Sequence, residues 1–354
     1  SGLVYDKRNE MEGNIMTYEE KLQQYKDWIF RRSAYQMALA IIGIDKQTVA
    51  PSAGAAYRDE RSAYLAGELF SIETDPAMVQ LLKELKDDPQ IDGDNKRAVE
   101  LYYKQAMDTM CIPKDEFVAY QKLRDESFDA WIKAKSQSDY SIFEPYLKKI
   151  IEVSKKMYRY RNSDKNLYDQ MLDDYEPGMT QEKYDVFFAA LKERLVPLIQ
   201  KVTKAKQKNE EFLHQEFPIE DQKKFMTQLL EYLHFDSSWG YQNESEHPFT
   251  SWICENDCRT TTKYGTNDVV SAVLSTVHEV GHAYYEHNVD PKYDGMILSE
   301  GISSGMHESQ SRLCENYLAR TTAFWKYHYP KLQETFPTQL GNVSFDEFYE
   351  AINV

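Results

Sequence analysis

A chain of 354 residues, 42% of them hydrophobic, is long enough to build one large core or two ordinary ones. Its 42 Lys and Arg against 58 Asp and Glu leave a net charge of -16, which argues against nucleic acid as a partner. No apolar run approaches the ~18 residues of a membrane-spanning helix, so no membrane partner is expected. The polar stretch Ser1 to Met16 has no signal-like apolar region. Four cysteines (Cys111, Cys254, Cys258 and Cys314) lack CxxC spacing and read as reduced thiols, which implies a cytoplasmic location.

With only 14 Gly and 12 Pro and no linker-like stretch, the composition predicts a single domain of long helices over 1–354. The first helix is expected from about Thr17 to Ile44, where Leu22, Tyr25, Trp28, Ile29, Tyr35, Met37, Ala40 and Ile41 recur at three- and four-residue spacing. A break at Pro51-Ser52 precedes a second, from about Ala53 to Ile72. Further helical patterns cover 75–87, 92–112, 114–138 and 140–162. The clearest covers 180–203, where Phe187, Phe188, Leu191, Leu195, Leu198, Ile199 and Val202 form one continuous stripe. Core packing is the expectation for all these stripes. Between Asp236 and Gly265 the pattern changes. Alternation around Phe249, Trp252 and Ile253, and again over Arg259–Tyr264, predicts a short β-hairpin or two edge strands.

The next helix carries the chemistry. Val269, Val270, Val273, Leu274 and Val277 give it an apolar face, Asn267 or Thr266 is the expected cap, and Asn288 with Pro291 bounds its end. Within it, residues 278–282 read His-Glu-Val-Gly-His. Two histidines four apart lie one turn apart on one face, so both imidazoles can reach one metal ion. Glu279, on the neighbouring face, can act as general base on a metal-bound water without being a ligand itself. A third ligand must come from elsewhere. Glu300, His307, Glu308 and Glu315 are the candidates, all on a helix expected from Ser299 to about Tyr327. Spacing favours a glutamate from that helix without choosing among them. The metal-binding helices thus span 267–328, behind the hairpin region 236–266.

These residues resemble a known family. His278-Glu-Val-Gly-His282, followed by His307-Glu308-Ser309-Gln310 and preceded by His247-Pro248-Phe249 and Asp257-Cys-Arg259-Thr-Thr261, look like the motifs of the M32 metallocarboxypeptidases (the Taq carboxypeptidase type). Ile44–Glu60 is also similar to that family's N-terminal helical region. The resemblance implies an all-α, cleft-shaped metallopeptidase fold with a short β-hairpin near the active site, and N-terminal helices to about residue 110 forming a lid. It implies His278, His282 and Glu308 as metal ligands with Glu279 as general base. The implied ion is Zn²⁺, with Co²⁺ or Mn²⁺ as alternatives. The implied activity is release of single residues from peptides with a free C-terminus, by a homodimer. Two further motifs of the family are absent, so the expectation is a truncated chain that binds metal but is impaired in catalysis.

Three residues are weighed for substrate binding. Arg259 can fork onto a substrate carboxylate, or pair with Asp257 or Glu255. His247 can line the cleft, or bond to backbone in its turn. His307 can touch substrate, and Glu315 can orient a ligating imidazole from behind. The rival activities are an endo-acting oligopeptidase of related helical type and a metal-dependent binding protein without turnover.

Overall fold

The computed structural model describes residues 16–161, 163–205 and 208–353. The polar stretch read at the N-terminus lies, up to residue 15, outside them. As expected of an all-α protein, helices dominate, and among the described residues the only sheet is three-stranded.

The first helices are α1 (Tyr18–Thr48), α2 (Ala55–Glu73), α3 (Pro76–Asp87) and α4 (Gly93–Met110). A capping box starts α1: Thr17 Oγ1 accepts from the Glu20 N–H at 3.3 Å, and Glu20 Oε2 accepts from the Thr17 N–H at 2.8 Å. These helices enclose a core of their own, built from Tyr25 and Trp28 of α1, Leu81, Leu82 and Leu85 of α3, and Val99 and Tyr102 of α4. Trp28 stacks edge-on to Tyr102 with centroids 4.9 Å apart. Met296, Ile297 and Leu298, from a much later segment, pack against this cluster and join it to the rest of the chain.

The chain continues through α5 (Lys114–Gln137), α6 (Glu144–Tyr160), α7 (Leu167–Tyr175), α8 (Gln181–Val202) and α9 (Ile219–Tyr232). Here one expectation fails. The stripe over 180–203 forms the helix it predicts, but α8 has no buried residue; Phe187 is 55% exposed and Leu198 54%. A periodic stripe specifies an apolar face, not that a neighbour is present to cover it. The main core lies elsewhere, where α9, α10 (Val269–His287), α12 (Thr322–Thr335) and α14 (Phe345–Ala351) converge. At its centre are Phe225, Val273, Val277, Trp325, Leu332 and Phe348, all nearly inaccessible.

The predicted hairpin is real and has an extra strand. Strands β2 (Thr250–Cys254) and β3 (Asp257–Thr262) pair antiparallel, and β1 (Gly240–Glu244) joins the other edge of β3 in parallel. β1 reads Gly-Tyr-Gln-Asn-Glu, with no β-branched residue, so its pairing comes from tertiary context. The sheet lies against α10. Behind α10, the single helix expected from Ser299 to Tyr327 is broken into pieces. Ser303 caps a short α11 (Ser304–Arg312), a π turn follows over Leu313–Leu318, and Thr321 caps α12. The short α13 (Pro337–Leu340) leads into α14.

Candidate metal centre

Helix α10 is buried on most of its surface, with Val269, Val270, Val273, Val277, Val280 and Ala283 in the main core. Its cap is Asp268, whose side chain accepts from the Ser271 N–H at 2.9 Å. Asn267 and Thr266, the expected caps, are not used, because Asp268 is the residue that takes the non-helical N-cap conformation. Gly281 lies where α11 crosses. A Cβ there would meet Ser311 Cα at 2.8 Å and the Gln310 carbonyl oxygen at 3.0 Å, so only glycine permits this approach.

That approach brings the donors together. His278 and His282 are one turn apart with ring centroids 5.0 Å apart. Glu308 Oε2 reaches from α11 to 3.6 Å from His278 Nε2 and 3.5 Å from His282 Nε2. One donor atom from each of the three residues lies within 4.8 Å of the others. Two imidazoles and a carboxylate are the donor set that suits zinc and neighbouring divalent ions. The far nitrogens are engaged as such a site requires. His278 Nδ1 is 2.8 Å from Glu315 Oε2, and His282 Nδ1 is 2.6 Å from His307 Nδ1. Both Nε2 atoms are thereby left to face the Glu308 carboxylate. These residues fit a divalent ion.

The electrostatics agree. Burial, helped by the neighbouring His307 and His278, pushes His282 down to about 4, which keeps its ring neutral and able to ligate. Burial works against the charge on Glu308, but the hydrogen bond from Arg312 and the field of His278 outweigh it and hold the carboxyl below its usual range. Arg312 bridges two carboxylates, with Nε 2.7 Å from Glu308 Oε1 and Nη1 3.0 Å from Glu315 Oε2. Glu279 is 6% exposed, and burial raises its carboxyl above the usual range against the hydrogen bond from Thr250. That bond, Thr250 Oγ1 to Glu279 Oε2 at 2.7 Å, ties the Glu279 carboxylate to the edge strand β2.

A cleft of about 730 Å³ opens over these groups, lined by His278, Glu279, Glu308 and Arg312 together with His247 and Arg320. Of the four ligand candidates that spacing left open, geometry gives each a separate place. Glu308 faces the histidines and Glu315 backs His278. His307 backs His282, and Glu300 lies 3.9 Å from Arg32 on the N-terminal cluster. The substrate-binding candidates separate as well. His247 borders the cleft, edge-on to Trp131. Arg259 forks onto Asp257 at 2.7 and 2.8 Å, the internal pair weighed against a substrate contact. Both nitrogens of His307 are taken, by His282 and Glu286. Sequence reasoning passed over Thr250, Glu286 and Arg312. The last two were visible as spacing, Glu286 four residues after His282 and Arg312 four after Glu308.

A helical fold whose donors sit on two crossing helices beneath a cleft, with a carboxylate beside them, defines a metallopeptidase of the helical kind. Residues 24–354 match the model of the Peptidase_M32 family, the carboxypeptidase Taq (M32) metallopeptidases, and the chain belongs to that family. Carboxypeptidase 1 of Bacillus subtilis (strain 168) is 38% identical over 341 residues, covering 96% of this chain and 68% of that protein. The BsuCP crystal structure superposes with a TM-score of 0.91 at 37% identity, over 94% of this chain and 67% of the other. The M32 carboxypeptidase of Deinococcus radiodurans R1 superposes at 0.84 with 31% identity, over 94% and 67%. The chain therefore spans about two thirds of the length of these relatives.

Proposed function

We propose that this chain holds a divalent ion, zinc in the first place and cobalt or manganese as alternatives, on His278, His282 and Glu308, and uses it to release single residues from the free C-termini of peptides. The observation that carries the reading is the convergence of three donor atoms, from His278, His282 and Glu308, at a cleft lined by His278, Glu308 and the buried Glu279. When bound, the ion supplies Lewis acidity, polarising a carbonyl and lowering the pKa of water.

The protein's own groups do the rest. Glu279, its carboxyl raised by burial, takes a proton from the attacking water and passes it to the leaving amine. Thr250 holds that carboxylate in one orientation throughout. Arg312 fixes the Glu308 carboxylate from behind, leaving Oε2 toward the histidines. Arg320, which lines the cleft and donates to the Ile352 carbonyl at 2.8 Å, and His247 are the groups placed to meet substrate. We also assign a homodimer and a cytoplasmic location, the latter supported by four free cysteines.

The test is mass spectrometry of a matched peptide pair, one with a free C-terminus and one amidated, incubated with the zinc-loaded chain. Stepwise loss of residues from the free peptide alone is expected. Cleavage inside both peptides would replace the reading with an endo-acting oligopeptidase. Zinc uptake without any cleavage would replace it with a metal-binding chain that needs further residues for turnover.

A further inference from the structure

A histidine that gives Nε2 to a metal must carry its proton on Nδ1, and the partner of that proton sets the plane of the ring and the basicity of the ligating nitrogen. The two histidines of α10 solve this differently. His278 Nδ1 faces a carboxylate directly, Glu315 Oε2 at 2.8 Å. His282 Nδ1 faces another imidazole, His307 Nδ1 at 2.6 Å. Two neutral rings meeting nitrogen to nitrogen share one proton, so one must donate and the other accept. If His282 donates, His307 accepts on Nδ1 and its own proton sits on Nε2. That atom lies 2.5 Å from Glu286 Oε1. Every hydrogen in the row then has one place: His282 donates to His307, and His307 donates to Glu286.

We infer that Glu286, acting through His307, is a positioning pair for His282, fixing the tautomer and ring plane of the second metal ligand with a carboxylate that never touches the ion or the substrate. This rests on the reading of His282 as a ligand. Three further observations point the same way. Glu286 is one turn beyond His282 on α10 and is 6% exposed, with its Oε2 buried and without a hydrogen-bond partner among the described residues. A carboxylate so placed is costly to bury, and its one short bond goes to His307. His307 also has packed neighbours: Tyr285 lies T-shaped to it with centroids 5.0 Å apart, and Gly301 comes so close that a Cβ there would meet His307 Cδ2 at 2.7 Å. With both nitrogens engaged and these two neighbours beside it, its ring is held in one orientation. Adjacent residues of α11 thus have separate tasks, Glu308 as ligand and His307 as the link between a buried charge and the other ligand.

The experiment combines zinc affinity, by competition with a chelator, with the histidine tautomers, by nitrogen-15 NMR of the imidazole rings, on the wild-type chain and the Glu286→Gln and His307→Phe variants. Wild-type rings are expected protonated on Nδ1 of His282 and Nε2 of His307, with or without zinc. His307→Phe removes the acceptor and is expected to weaken zinc binding by about 10–100-fold, and Glu286→Gln by about 10-fold, with the His307 proton divided between its nitrogens. Should His307→Phe fail to fold, Glu286→Gln keeps the hydrogen-bonding shape and carries the test alone. Affinities within twofold of wild type, or a wild-type His307 protonated on Nδ1, would overturn the inference. The tautomers are read without metal, so a chain that takes up no zinc would sink the metal site while the hydrogen row is judged separately.

Discussion

Gly281 lets the two donor helices meet, and replacing it with alanine is the sharpest perturbation the fold offers. A Cβ at 281 would lie 2.8 Å from Ser311 Cα, and ordinary van der Waals contact begins at 3.4 Å, so the helices must separate by about 3.4 − 2.8 = 0.6 Å. The obstacle is backbone, with no side chain to swing aside, and overpacking of this kind costs about 1–3 kcal/mol. Glu308 sits one turn before Ser311 on α11 and moves with it. Metal–ligand distances tolerate about ±0.2 Å, so 0.6 Å takes Glu308 out of range of an ion held by the two histidines. We expect Gly281→Ala to lower the Tm and to weaken zinc binding by about 10–100-fold in chelator competition. Gly43→Ala is the control, since no described atom lies within 4 Å of a Cβ at that position inside α1. There the better helix propensity of alanine should add up to about 1 kcal/mol and leave zinc binding alone. Wild-type zinc affinity in Gly281→Ala would refute the claim that this crossing sets the ligand spacing.

Other variants probe separate parts of the molecule. Glu279→Gln keeps the shape of the base and should retain zinc while lowering kcat by about 10²–10⁴-fold; substantial residual turnover would remove Glu279 from its role. His328 is 2% exposed in a nest of rings from Phe324, Tyr232 and Tyr327, its Nε2 has no hydrogen-bond partner among the described residues, and burial pushes it down to about 4. The unfolded chain takes up that proton near the ordinary value of 6.5. Stability from the neutral ring is therefore full above that pH and lost as pH falls toward 4, by up to about 3 kcal/mol. His328→Phe should flatten this part of the stability curve in thermal unfolding between pH 7 and 4; an unchanged slope would assign the loss to other groups. On the exposed stripe of α8, Leu198→Lys should change stability by no more than about 0.5 kcal/mol, whereas Leu332→Ala in the main core should cost about 2–5 kcal/mol in urea unfolding.

What the sequence disclosed follows from which interactions are local. The pair His278 and His282 is written within one helical turn, and the valines before it mark a buried helix, so the pair and the helix that carries it are legible together. The first helix was placed to within a few residues for the same reason: its apolar spacing lies along the chain. Apart from the cap of α10, which is Asp268 and not its neighbours, the failures are non-local. The stripe of α8 shows an apolar face as clear as that of any core helix, and only the three-dimensional arrangement tells that none of its residues is buried. β1 pairs in parallel with a strand that begins 17 residues after its own start, which no propensity of Gly240–Glu244 foretells. The choice among Glu300, His307, Glu308 and Glu315 depended on two features hidden in the pattern, the crossing at Gly281 and the π turn at Leu313–Leu318. The turn closes with the Ala319 N–H bonded to the Cys314 carbonyl at 2.9 Å, five residues back. Glu315 lies within that turn with its carboxylate against His278, while Glu308 faces the Nε2 atoms of both histidines and Arg312 spans the two carboxylates. Equal spacing on an ideal helix cannot turn these glutamates to separate histidine nitrogens, whereas a change of helical pitch that begins at Leu313, after Glu308 and before Glu315, can.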